Sequence, residues 1–458
     1  MRLTILGGGG FRVPLVHRAL LADVHREGPG RCTELVLHDT DPTRARVIAT
    51  VLAAQAEGVP GAPRVRLTDD LDDALRGADF VFSAIRVGGT RGRVRDEQVP
   101  LAEGVLGQET VGAGGVLYGL RTVPVARRIA ERVAALAPGA WIINFTNPAG
   151  MVTEAMAEVL ARHGLADRVI GICDSPVGLV RRAARAAGAD PAAVICDYVG
   201  LNHLGWLRRL EADGRDLLPG LLADEAALTS FEEGRLFGAA WLRALGALPN
   251  EYLHYYYFRR ETLAAVRAAA EAGGTRGVFL DAQQGDFFAA AAAGGSPEEV
   301  LELWERTRRQ REETYGAEVR AASGGWQRDT CDVDGGGYDR VALELMRAIS
   351  GDRRARLILN VRNGGTLPAL PEDAVVETVC EVGADGARPL PCAPLEGAEL
   401  GLVLQVKAVE RATIEAARDG SRRAALRALA LHPLVDSPAV AGRILDRAAA
   451  DLPAALRA

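Results

Sequence analysis

The feature that most constrains the fold is a run of four glycines that directly follows a short apolar segment. The run stands in LTILGGGGFRVP and comprises Gly7, Gly8, Gly9 and Gly10. Glycines adopt backbone angles that other residues resist, and they let the chain approach a pyrophosphate at the positive end of the following helix. A strand, a glycine turn and a helix in this order predict a nucleotide site, and we assign Phe11 and Arg12 at the end of the turn to it.

An acidic residue follows the second predicted strand. The segment LVLHDTD places Asp39 directly after that strand. In dinucleotide-binding domains, a carboxylate at this place binds the ribose hydroxyls of NAD and repels the 2′-phosphate of NADP. We therefore predict NAD as the cofactor.

The first half of the sequence alternates short aliphatic runs with amphipathic stretches. This alternation is typical of parallel strands joined by helical crossovers. Predicted strands cover residues 3–6, 34–38, 65–67, 80–84, 141–144 and 169–172. Predicted helices cover residues 42–55, 121–135, 151–163 and 177–187. The pattern predicts an α/β fold that begins with a Rossmann-like, doubly wound parallel sheet.

The pattern changes after about residue 190. A strand over residues 195–200 precedes long helices rich in Ala, Arg and Glu, then a glycine-rich segment at residues 335–337 and strands over residues 357–360 and 375–381. Helices follow from residue 400, with breaks at residues 419–420 and 432–433. We predict an NAD-binding domain over residues 1–190 and a mixed α+β domain for substrate, metal and oligomerisation over residues 191–458.

Charge and cysteine usage exclude several classes of protein. The formal net charge of −6 argues against a nucleic-acid partner, which requires a clustered basic surface. No apolar run approaches the roughly 20 residues that cross a bilayer. The cysteines lack CxxC spacing and no secretion signal is apparent, so we expect reduced thiols and a cytoplasmic protein. These cysteines are Cys32, Cys173, Cys196, Cys331, Cys380 and Cys392.

Two potential metal ligands follow predicted strands. Cys173 follows the strand at residues 169–172, and His203 follows the strand at residues 195–200. A thiolate and an imidazole are both ligands of divalent transition metals. Taken singly, a buried cysteine also packs as a small hydrophobe and a lone histidine also fills a core. Their shared place at strand ends, where such sheets bind ligands, favours a site.

Eight strings in the sequence resemble glycoside hydrolase family 4, most closely its 6-phospho-β-glucosidase members. They are GGGGFRVP, RVGGTRGRVRDE, GQETVGAGG, INFTNPAG, GICDSP, GLNHLGW, PNEYLHYYYF and NVRNGG, in this order between residues 7 and 365. Each string alone is modest, but their shared order makes accidental agreement improbable. The resemblance implies an architecture related to that of lactate and malate dehydrogenases.

The resemblance also implies roles for individual residues. Cys173 and His203 match ligands of a divalent metal, normally Mn²⁺, and Tyr252 matches the base that removes the proton from C2 of the sugar. The positions that match contacts to a phosphorylated glycoside are Arg93, Glu109, Asn147, Asn202 and Arg276, the two arginines being near the sugar phosphate.

The reaction that the resemblance implies is redox-assisted hydrolysis of a 6-phospho-β-glucoside such as cellobiose 6-phosphate, an exception to the two-carboxylate rule of glycosidases. Oxidation at C3 by NAD⁺ acidifies the proton at C2. A base then removes that proton, the aglycone is eliminated from C1, water adds, and the hydride returns to C3. The net reaction consumes no cofactor. Family members are commonly dimers or tetramers, so we expect a homo-oligomer formed through the helical second half.

Asp174 departs from the pattern of the β-acting members, which usually carry asparagine after the ligand cysteine. In α-acting members an aspartate at this position is the general acid, so Asp174 is either a catalytic acid or a partner that orients the metal site. It is also a good N-cap for a helix that begins at Ser175-Pro176. The alternatives that stay open are a 6-phospho-α-glucosidase, an unphosphorylated galactosidase-type member, a lactate/malate-type dehydrogenase and a non-catalytic nucleotide sensor.

Overall fold

The computed structural model describes residues 1–25, 28, 30–328, 337–351 and 353–457. All thirteen described strands belong to one sheet. In chain order they are β1 (Arg2–Leu6), β2 (Glu34–His38), β3 (Arg64–Thr68), β4 (Phe80–Ser83), β5 (Trp141–Asn144), β6 (Val169–Gly171), β7 (Ile195–Leu201), β8 (Leu204–Ala212), β9 (Arg215–Asp216), β10 (Leu248–Pro249), β11 (Ala355–Arg362), β12 (Val375–Gly383) and β13 (Gly386–Pro389).

The first six strands form the parallel half of this sheet. Their order is β3-β2-β1-β4-β5-β6, and each neighbouring pair is parallel. This is the strand order of a doubly wound dinucleotide-binding fold. The predicted fold class is therefore confirmed.

The strands of the second half extend the same sheet. Antiparallel β11 pairs with β6 through Asn360 and Gly171, and the order continues as β11-β12-β7-β8-β10. Every pair in this half is antiparallel. The division at residue 190 stays a prediction, since the hydrogen-bonded sheet runs from one half into the other.

Helices cover both faces of the sheet. They are α1 (Val13–Leu21), α2 (Pro42–Ala56), α3 (Leu71–Leu75), α4 (Gly89–Ala102), α5 (Gly112–Leu136), α6 (Ala149–Ala161), α7 (Ser175–Ala186), α8 (Leu218–Ala223), α9 (Glu225–Thr229), α10 (Glu232–Phe237), α11 (Ala239–Leu245), α12 (His254–Tyr257), α13 (Arg259–Ala272), α14 (Arg276–Ala292), α15 (Pro297–Glu313), α16 (Ala317–Ala322), α17 (Tyr338–Gly351), α18 (Gly397–Asp419), α19 (Arg422–Leu431) and α20 (Pro438–Ala448).

The core of the first half lies on the two faces of the parallel strands. On one face the strands pack against α1, α2 and α17. On the other face they pack against α3, α5 and α6. Continuous buried runs such as Phe80–Ser83 are expected of strands that are covered on both sides. This burial fixes the strands, so their carboxyl ends form a rigid edge.

Two segments differ from the sequence prediction. Residues 204–212, where no strand was predicted, form β8, which pairs with β7 in a hairpin. The helix predicted to begin at residue 121 begins at Gly112. The breaks near residues 419–420 and 432–433 are confirmed, because α18 ends at Asp419 and α19 ends at Leu431.

Some predictions concern residues that are not all described. Of the glycine-rich segment at residues 335–337, only Gly337 is described, and Cys331 also lies outside the described residues. The five described cysteines are all free thiols. Within the described ranges, no helix has the length and apolar character required to cross a membrane.

Candidate active site

One cavity lies at the carboxyl edge of the parallel strands, where β1 and β4 lead to opposite sides of the sheet. Its volume is about 760 Å³. Ligands of doubly wound sheets bind in the crevice at this place. Thirteen of the sixteen residues predicted for the site line it, namely Gly7, Gly9, Gly10, Phe11, Arg12, Asp39, Arg93, Glu109, Asn147, Cys173, Asp174, His203 and Tyr252.

The glycine turn is packed so tightly that larger residues do not fit. Gly7 has φ +82°, and a Cβ there would lie 2.5 Å from the carbonyl oxygen of Ala84. A Cβ on Gly9 would lie 2.9 Å from the backbone nitrogen of Ala45. The turn therefore keeps its backbone open to the cavity at the start of α1, where a pyrophosphate would meet the positive end of the helix.

Asp39 holds the glycine turn in place as well as facing the cavity. Its Oδ2 accepts a hydrogen bond from the backbone N–H of Gly9 at 2.8 Å, and its Oδ1 accepts one from Asp41 at 2.9 Å. Asp39 is half-buried and lines the cavity beside the turn. This is where a carboxylate that binds ribose hydroxyls is required.

Cys173 follows β6 and is buried. Its Sγ donates a hydrogen bond to the Ser175 hydroxyl at 3.7 Å. Burial, followed by the nearby Glu377 and Asp174 carboxylates, raises the pKa of the Cys173 thiol well above its usual value. Cys173 is therefore a protonated thiol until a cation displaces the proton.

Asp174 occupies the N-cap position of α7, but its side chain makes no capping hydrogen bond. Its carboxylate instead lies 3.4 Å from the guanidinium of Arg12, which belongs to the glycine turn. The ion pair joins the cofactor side of the cavity to the segment that carries Cys173. The Asp174 side chain therefore contacts a residue of the cavity and does not cap α7.

His203 stands in the two-residue turn between β7 and β8. Its φ is +62°, in the left-handed region that non-glycine residues adopt mainly in tight turns. The imidazole is buried and stacks on the ring of Tyr252, with centroids 3.6 Å apart and planes 4° apart. Burial lowers the pKa of His203 to about 4, so the imidazole is neutral near pH 7 and its lone pair is available to a cation.

Tyr252 is fixed by its backbone and by its hydroxyl. The Asn250 side chain accepts a hydrogen bond from the backbone N–H of Tyr252 at 3.1 Å. The phenolic oxygen of Tyr252 lies 3.1 Å from that of Tyr315. Burial, followed by the Glu251 carboxylate, raises the pKa of Tyr252 well above its usual value in the structure as it stands.

Arginines and glutamates form a dense cluster at another wall of the cavity. Arg93 donates to Glu97 at 2.8 Å and to Glu109 at 2.7 Å, and Arg86 lies 2.9 Å from Glu109. Burial favours the neutral carboxyl of Glu109, but the Arg93 and Arg86 guanidiniums outweigh it and lower its pKa to about 2. Glu109 is therefore a carboxylate that fixes these guanidiniums.

Three predicted residues lie outside the cavity lining. Gly8 packs against β2, where a Cβ would lie 2.7 Å from that of Leu37. Asn202 donates to the buried Glu377 at 3.1 Å. Arg276 lines a smaller adjoining cavity of about 80 Å³ and donates to Thr314 at 2.6 Å.

Asn147, by contrast, faces the large cavity. Within the described part of the chain its side-chain amide has no hydrogen-bond partner. Both its donors and its acceptor are thus available to a ligand.

The lining residues that sequence reasoning missed include Arg86, Glu251, Arg311 and Tyr315. Glu251 is next to Tyr252 in the PNEYLHYYYF string, and this position is the one sequence signal for its place in the site. Arg311 stands among several arginines of α15, and nothing in the sequence distinguishes it from the exposed ones.

The residues present fit the two groups that the sequence predicted. The tight glycine turn with Asp39 fits a dinucleotide, because an added Cβ would collide with neighbouring protein atoms and displace the backbone that borders the cavity. A thiol and a neutral imidazole suit a divalent transition metal. Among the described residues no three His, Cys, Asp or Glu side chains converge as a metal cage. Cys173 and His203 are the side chains that would hold such a cation.

The fold and this cavity define an enzyme of the dinucleotide-binding α/β class. Residues 2–189 match the family model for family 4 glycosyl hydrolases, and residues 198–435 match the model for the C-terminal domain of that family. The chain belongs to family 4 of the glycosyl hydrolases, and the family predicted from the sequence is confirmed.

Sequence similarity to named relatives extends over nearly the whole chain. The chain is 32% identical to the 6-phospho-beta-glucosidase of Escherichia coli, over 95% of this chain and 92% of the relative. It is 30% identical to the 6-phospho-alpha-glucosidase of Leptotrichia buccalis, over 97% of this chain and 96% of the relative. The solved structure of the 6-phospho-beta glucosidase from Thermotoga maritima with manganese, NAD⁺ and glucose-6-phosphate superposes with a TM-score of 0.77, at 25% identity over 99% of both chains.

Proposed function

We propose that this enzyme hydrolyses 6-phospho-β-glucosides with NAD and a divalent metal, Mn²⁺ above all. One observation carries the proposal. A single cavity joins the glycine turn and Asp39 to Cys173, His203 and Tyr252. A simple dehydrogenase requires no such thiol and imidazole pair, whereas the named relatives act on phosphorylated glucosides and the Thermotoga maritima structure contains manganese and NAD⁺.

Guanidiniums at the junction of the two cavities support a phosphorylated substrate. Arg93 and Arg311 line both cavities, and Arg276 lines the smaller one. Burial, together with the nearby Arg311 and Arg93 charges, lowers the pKa of Arg276 to about 10. The Arg311 Nε is buried and has no hydrogen-bond partner among the described residues. Like charges held together in this way favour an anion such as the sugar 6-phosphate.

The protein's own residues position and deprotonate the sugar. Tyr252 is the base for the C2 proton, since its phenol is held rigidly by the His203 ring and by the Tyr315 hydroxyl. Asn147 offers its amide to sugar hydroxyls, and Glu109 keeps Arg93 and Arg86 in orientation.

When bound, NAD⁺ supplies reversible removal of the C3 hydride, and the cation supplies Lewis-acid polarisation of the sugar oxygens. Gly7, Gly9, Gly10 and Asp39 would hold the dinucleotide, while Cys173 and His203 would hold the cation. The positive charges of both groups favour the ionised form of Tyr252 over its neutral form.

The proposal is tested by nitrophenol release from 6-phosphorylated and plain α- and β-glucosides with NAD⁺, Mn²⁺ and a thiol reductant. We expect turnover of the 6-phospho-β-glucoside and a loss of turnover without NAD⁺ or Mn²⁺. Arg311→Gln should raise KM for the phosphorylated substrate by about tenfold or more. The matched control is Arg309→Gln, an exposed arginine of the same helix. Equal turnover of plain and phosphorylated glucosides by the wild type would contradict the proposal.

A 6-phospho-α-glucosidase is the second candidate, and Asp174 is the observation that favours it. The Asp174 side chain faces the cavity and does not cap α7, as a catalytic carboxyl would. Its ion pair with Arg12 makes it a hydrogen-bond acceptor in this structure, which favours an orienting role. Asp174→Asn should leave β activity within a few-fold of wild type, and it should abolish activity if the α-glucoside is the substrate.

We also propose that the enzyme works in the cytoplasm as a homo-oligomer. A thiol ligand such as Cys173 must stay reduced to bind a cation, and a charged sugar phosphate does not diffuse across membranes. Leu404 and Leu431 are exposed by 40% and 49% on neighbouring helices α18 and α19, which Gln405 joins through a hydrogen bond to the Leu431 carbonyl. Light scattering after size-exclusion chromatography should give a mass at least twice that of the 48.5 kDa chain.

A further inference from the structure

A chain of hydrogen bonds leads away from the Tyr252 hydroxyl. The phenolic oxygens of Tyr252 and Tyr315 are 3.1 Å apart, and the Tyr315 hydroxyl donates to Glu251 Oε1 at 3.1 Å. Because Tyr315 has one hydroxyl proton and gives it to Glu251, the shared proton of the tyrosine pair comes from Tyr252. All three side chains line both the large and the small cavity.

Several neighbouring groups contact Glu251, the last residue of this hydrogen-bond chain. The Ser175 hydroxyl donates to the same Glu251 oxygen at 3.1 Å. The charged side chains that act on Glu251 are Glu232 and Glu233 of α10, Arg182 of α7 and Arg328. Arg182 pairs with Glu233 and Arg328 pairs with Glu232, so the surrounding charges largely offset one another.

We propose that Tyr315 and Glu251 are positioning residues that orient the Tyr252 hydroxyl and carry its proton away. As the O–H bond of Tyr252 breaks, its proton bonds to the Tyr315 oxygen. The Tyr315 O–H bond breaks in turn, and that proton bonds to the Glu251 carboxylate. No electrons are exchanged with another group. The negative charge moves from Glu251 to Tyr252, whose phenolate then removes the C2 proton of the sugar.

The acidity of Glu251 is suited to this task. Burial, followed by the Glu232 carboxylate, raises the pKa of Glu251 to about 7. A group with a pKa near the working pH takes up and releases a proton readily, whereas an ordinary carboxylate holds a proton poorly at neutral pH. Glu251 opens to the cavity, so the stored proton exchanges with solvent.

The inference rests on the proposed function, in which Tyr252 is the base at C2. Its test uses the full-length holoenzyme with NAD⁺ and Mn²⁺, and 6-phospho-β-glucosides that carry deuterium at C2 or at C3. Tyr315→Phe and Glu251→Gln should slow kcat and C2 exchange with solvent by about 10- to 100-fold. KM should stay within about threefold, because neither change removes a substrate contact.

The isotope effects separate a proton path from a merely structural role. If C2 deprotonation becomes slow, the effect of deuterium at C2 should increase in both variants and the effect of deuterium at C3 should fall towards one. Glu251→Asp should recover part of the rate, because it restores a carboxylate. The matched control is Tyr256→Phe, which removes a hydroxyl without a hydrogen-bond partner among the described residues from the same aromatic segment and should leave every value unchanged.

Two outcomes overturn the proposal: C2 exchange that continues at the wild-type rate in both variants, or a loss of rate in which the C2 and C3 isotope effects keep their wild-type ratio. If Glu251→Gln does not fold, Tyr315→Phe decides alone, since phenylalanine fills the same space. A wild-type enzyme that turns over no 6-phosphoglucoside refutes the proposed function instead, and this result precedes any comparison of variants.

Discussion

Cys173 and His203, which we propose as the metal ligands, differ in what a cation must do in order to bind them. Burial keeps the His203 imidazole neutral, so its lone pair is already free. The same burial keeps the Cys173 thiol protonated, so the cation must displace a proton. Two ligands of this kind select for a metal that binds sulfur and nitrogen, which Mg²⁺ does poorly.

Replacement of the thiol tests this assignment. Cys173→Ser should abolish most metal-dependent activity, because a hydroxyl is a much weaker ligand than a thiolate. NAD binding should stay largely intact, since the glycine turn is unchanged. Titration with Mn²⁺ and with NAD⁺ by calorimetry measures both. The control is Cys196→Ser, a partly exposed cysteine on β7 outside the cavity lining. Intact metal affinity with loss of NAD binding would contradict the assignment.

Removal of the Tyr252 hydroxyl tests the base. Tyr252→Phe keeps the ring that stacks on His203 but removes the oxygen that we propose as the acceptor of the C2 proton. We expect exchange of the C2 proton with deuterated solvent to fall by at least about 100-fold, measured by proton NMR of substrate and product. The Tyr256→Phe variant is again the control. Exchange at the wild-type rate in Tyr252→Phe would show that another group is the base.

The chemistry of single residues was predictable from their motifs, but their partners were not. Cys173, His203 and Tyr252 stand in recognisable strings, and the structure places all three in one cavity. Arg311 lies near the end of the charged helix α15 and Tyr315 lies just after it, and only the packing of this region against the cavity distinguishes them from exposed neighbours. A sequence does not encode such a distinction locally, because it depends on contacts between distant segments.

At the scale of elements, the hairpin of β7 and β8 shows where local preference fails. The segment Leu204–Ala212 contains Leu, Arg and Glu, which favour helix, yet it pairs with β7 over seven residue pairs. Pairing inside a large sheet and burial of Trp206 outweigh a preference worth only tenths of a kcal/mol per residue. The turn of this hairpin gives His203 its position.

The parallel strands were predicted well because they are buried on both faces. Strands such as Trp141–Asn144 are uninterrupted apolar runs, and the predicted bounds agree within one or two residues. The start of α5 was missed because Gly112, Gly114 and Gly115 are poor helix formers. Close packing requires them, since a Cβ on Gly114 would lie 2.0 Å from the Gln108 carbonyl oxygen.

The glycine turn is the element whose strain can be tested directly. Gly7→Ala should weaken NAD⁺ binding by about tenfold or more, because alanine at φ +82° is strained and its Cβ would meet the Ala84 carbonyl oxygen at 2.5 Å. Calorimetric titration with NAD⁺ measures the effect. The matched control is Gly58→Ala, which has a similar φ of +68° and open space around it. Equal NAD⁺ affinity in both variants would show that the turn does not contact the cofactor.

At the scale of the whole molecule, buried polar groups tie the two halves of the sheet together. Glu377 of β12 is fully buried and accepts hydrogen bonds from Tyr198, Asn202 and Asn360. These donors come from β7, from the His203 hairpin turn and from β11. Burial raises the pKa of Glu377 to about 7, although the three donors oppose the shift.

This raised pKa has a consequence for stability. An unfolded glutamate ionises near pH 4.5, whereas folded Glu377 keeps its proton until about pH 7. The folded state therefore binds the extra proton between these values, and its stability falls as the pH rises through that window. Between pH 5.5 and 7 the loss is about 2 kcal/mol, at about 1.4 kcal/mol per pH unit.

Glu377→Gln removes this dependence. Urea unfolding of the wild type and the variant at pH 5.5 and pH 7.5 should show the variant gaining about 2 kcal/mol relative to the wild type at the higher pH. The comparison uses the change between the two pH values, so any constant effect of the amide cancels. A pH-independent difference between the two proteins would contradict the assigned shift.

The single sheet also restricts how a sugar can enter. In enzymes whose two lobes join only through a flexible link, the lobes swing apart to admit the ligand. Here β11 pairs with β6 at Asn360 and Gly171, two residues before Cys173 of the cavity lining. Such a movement would break the strand pairing next to Cys173. Substrate entry and product release must therefore depend on side chains and loops around the cavity opening, while the sheet stays fixed.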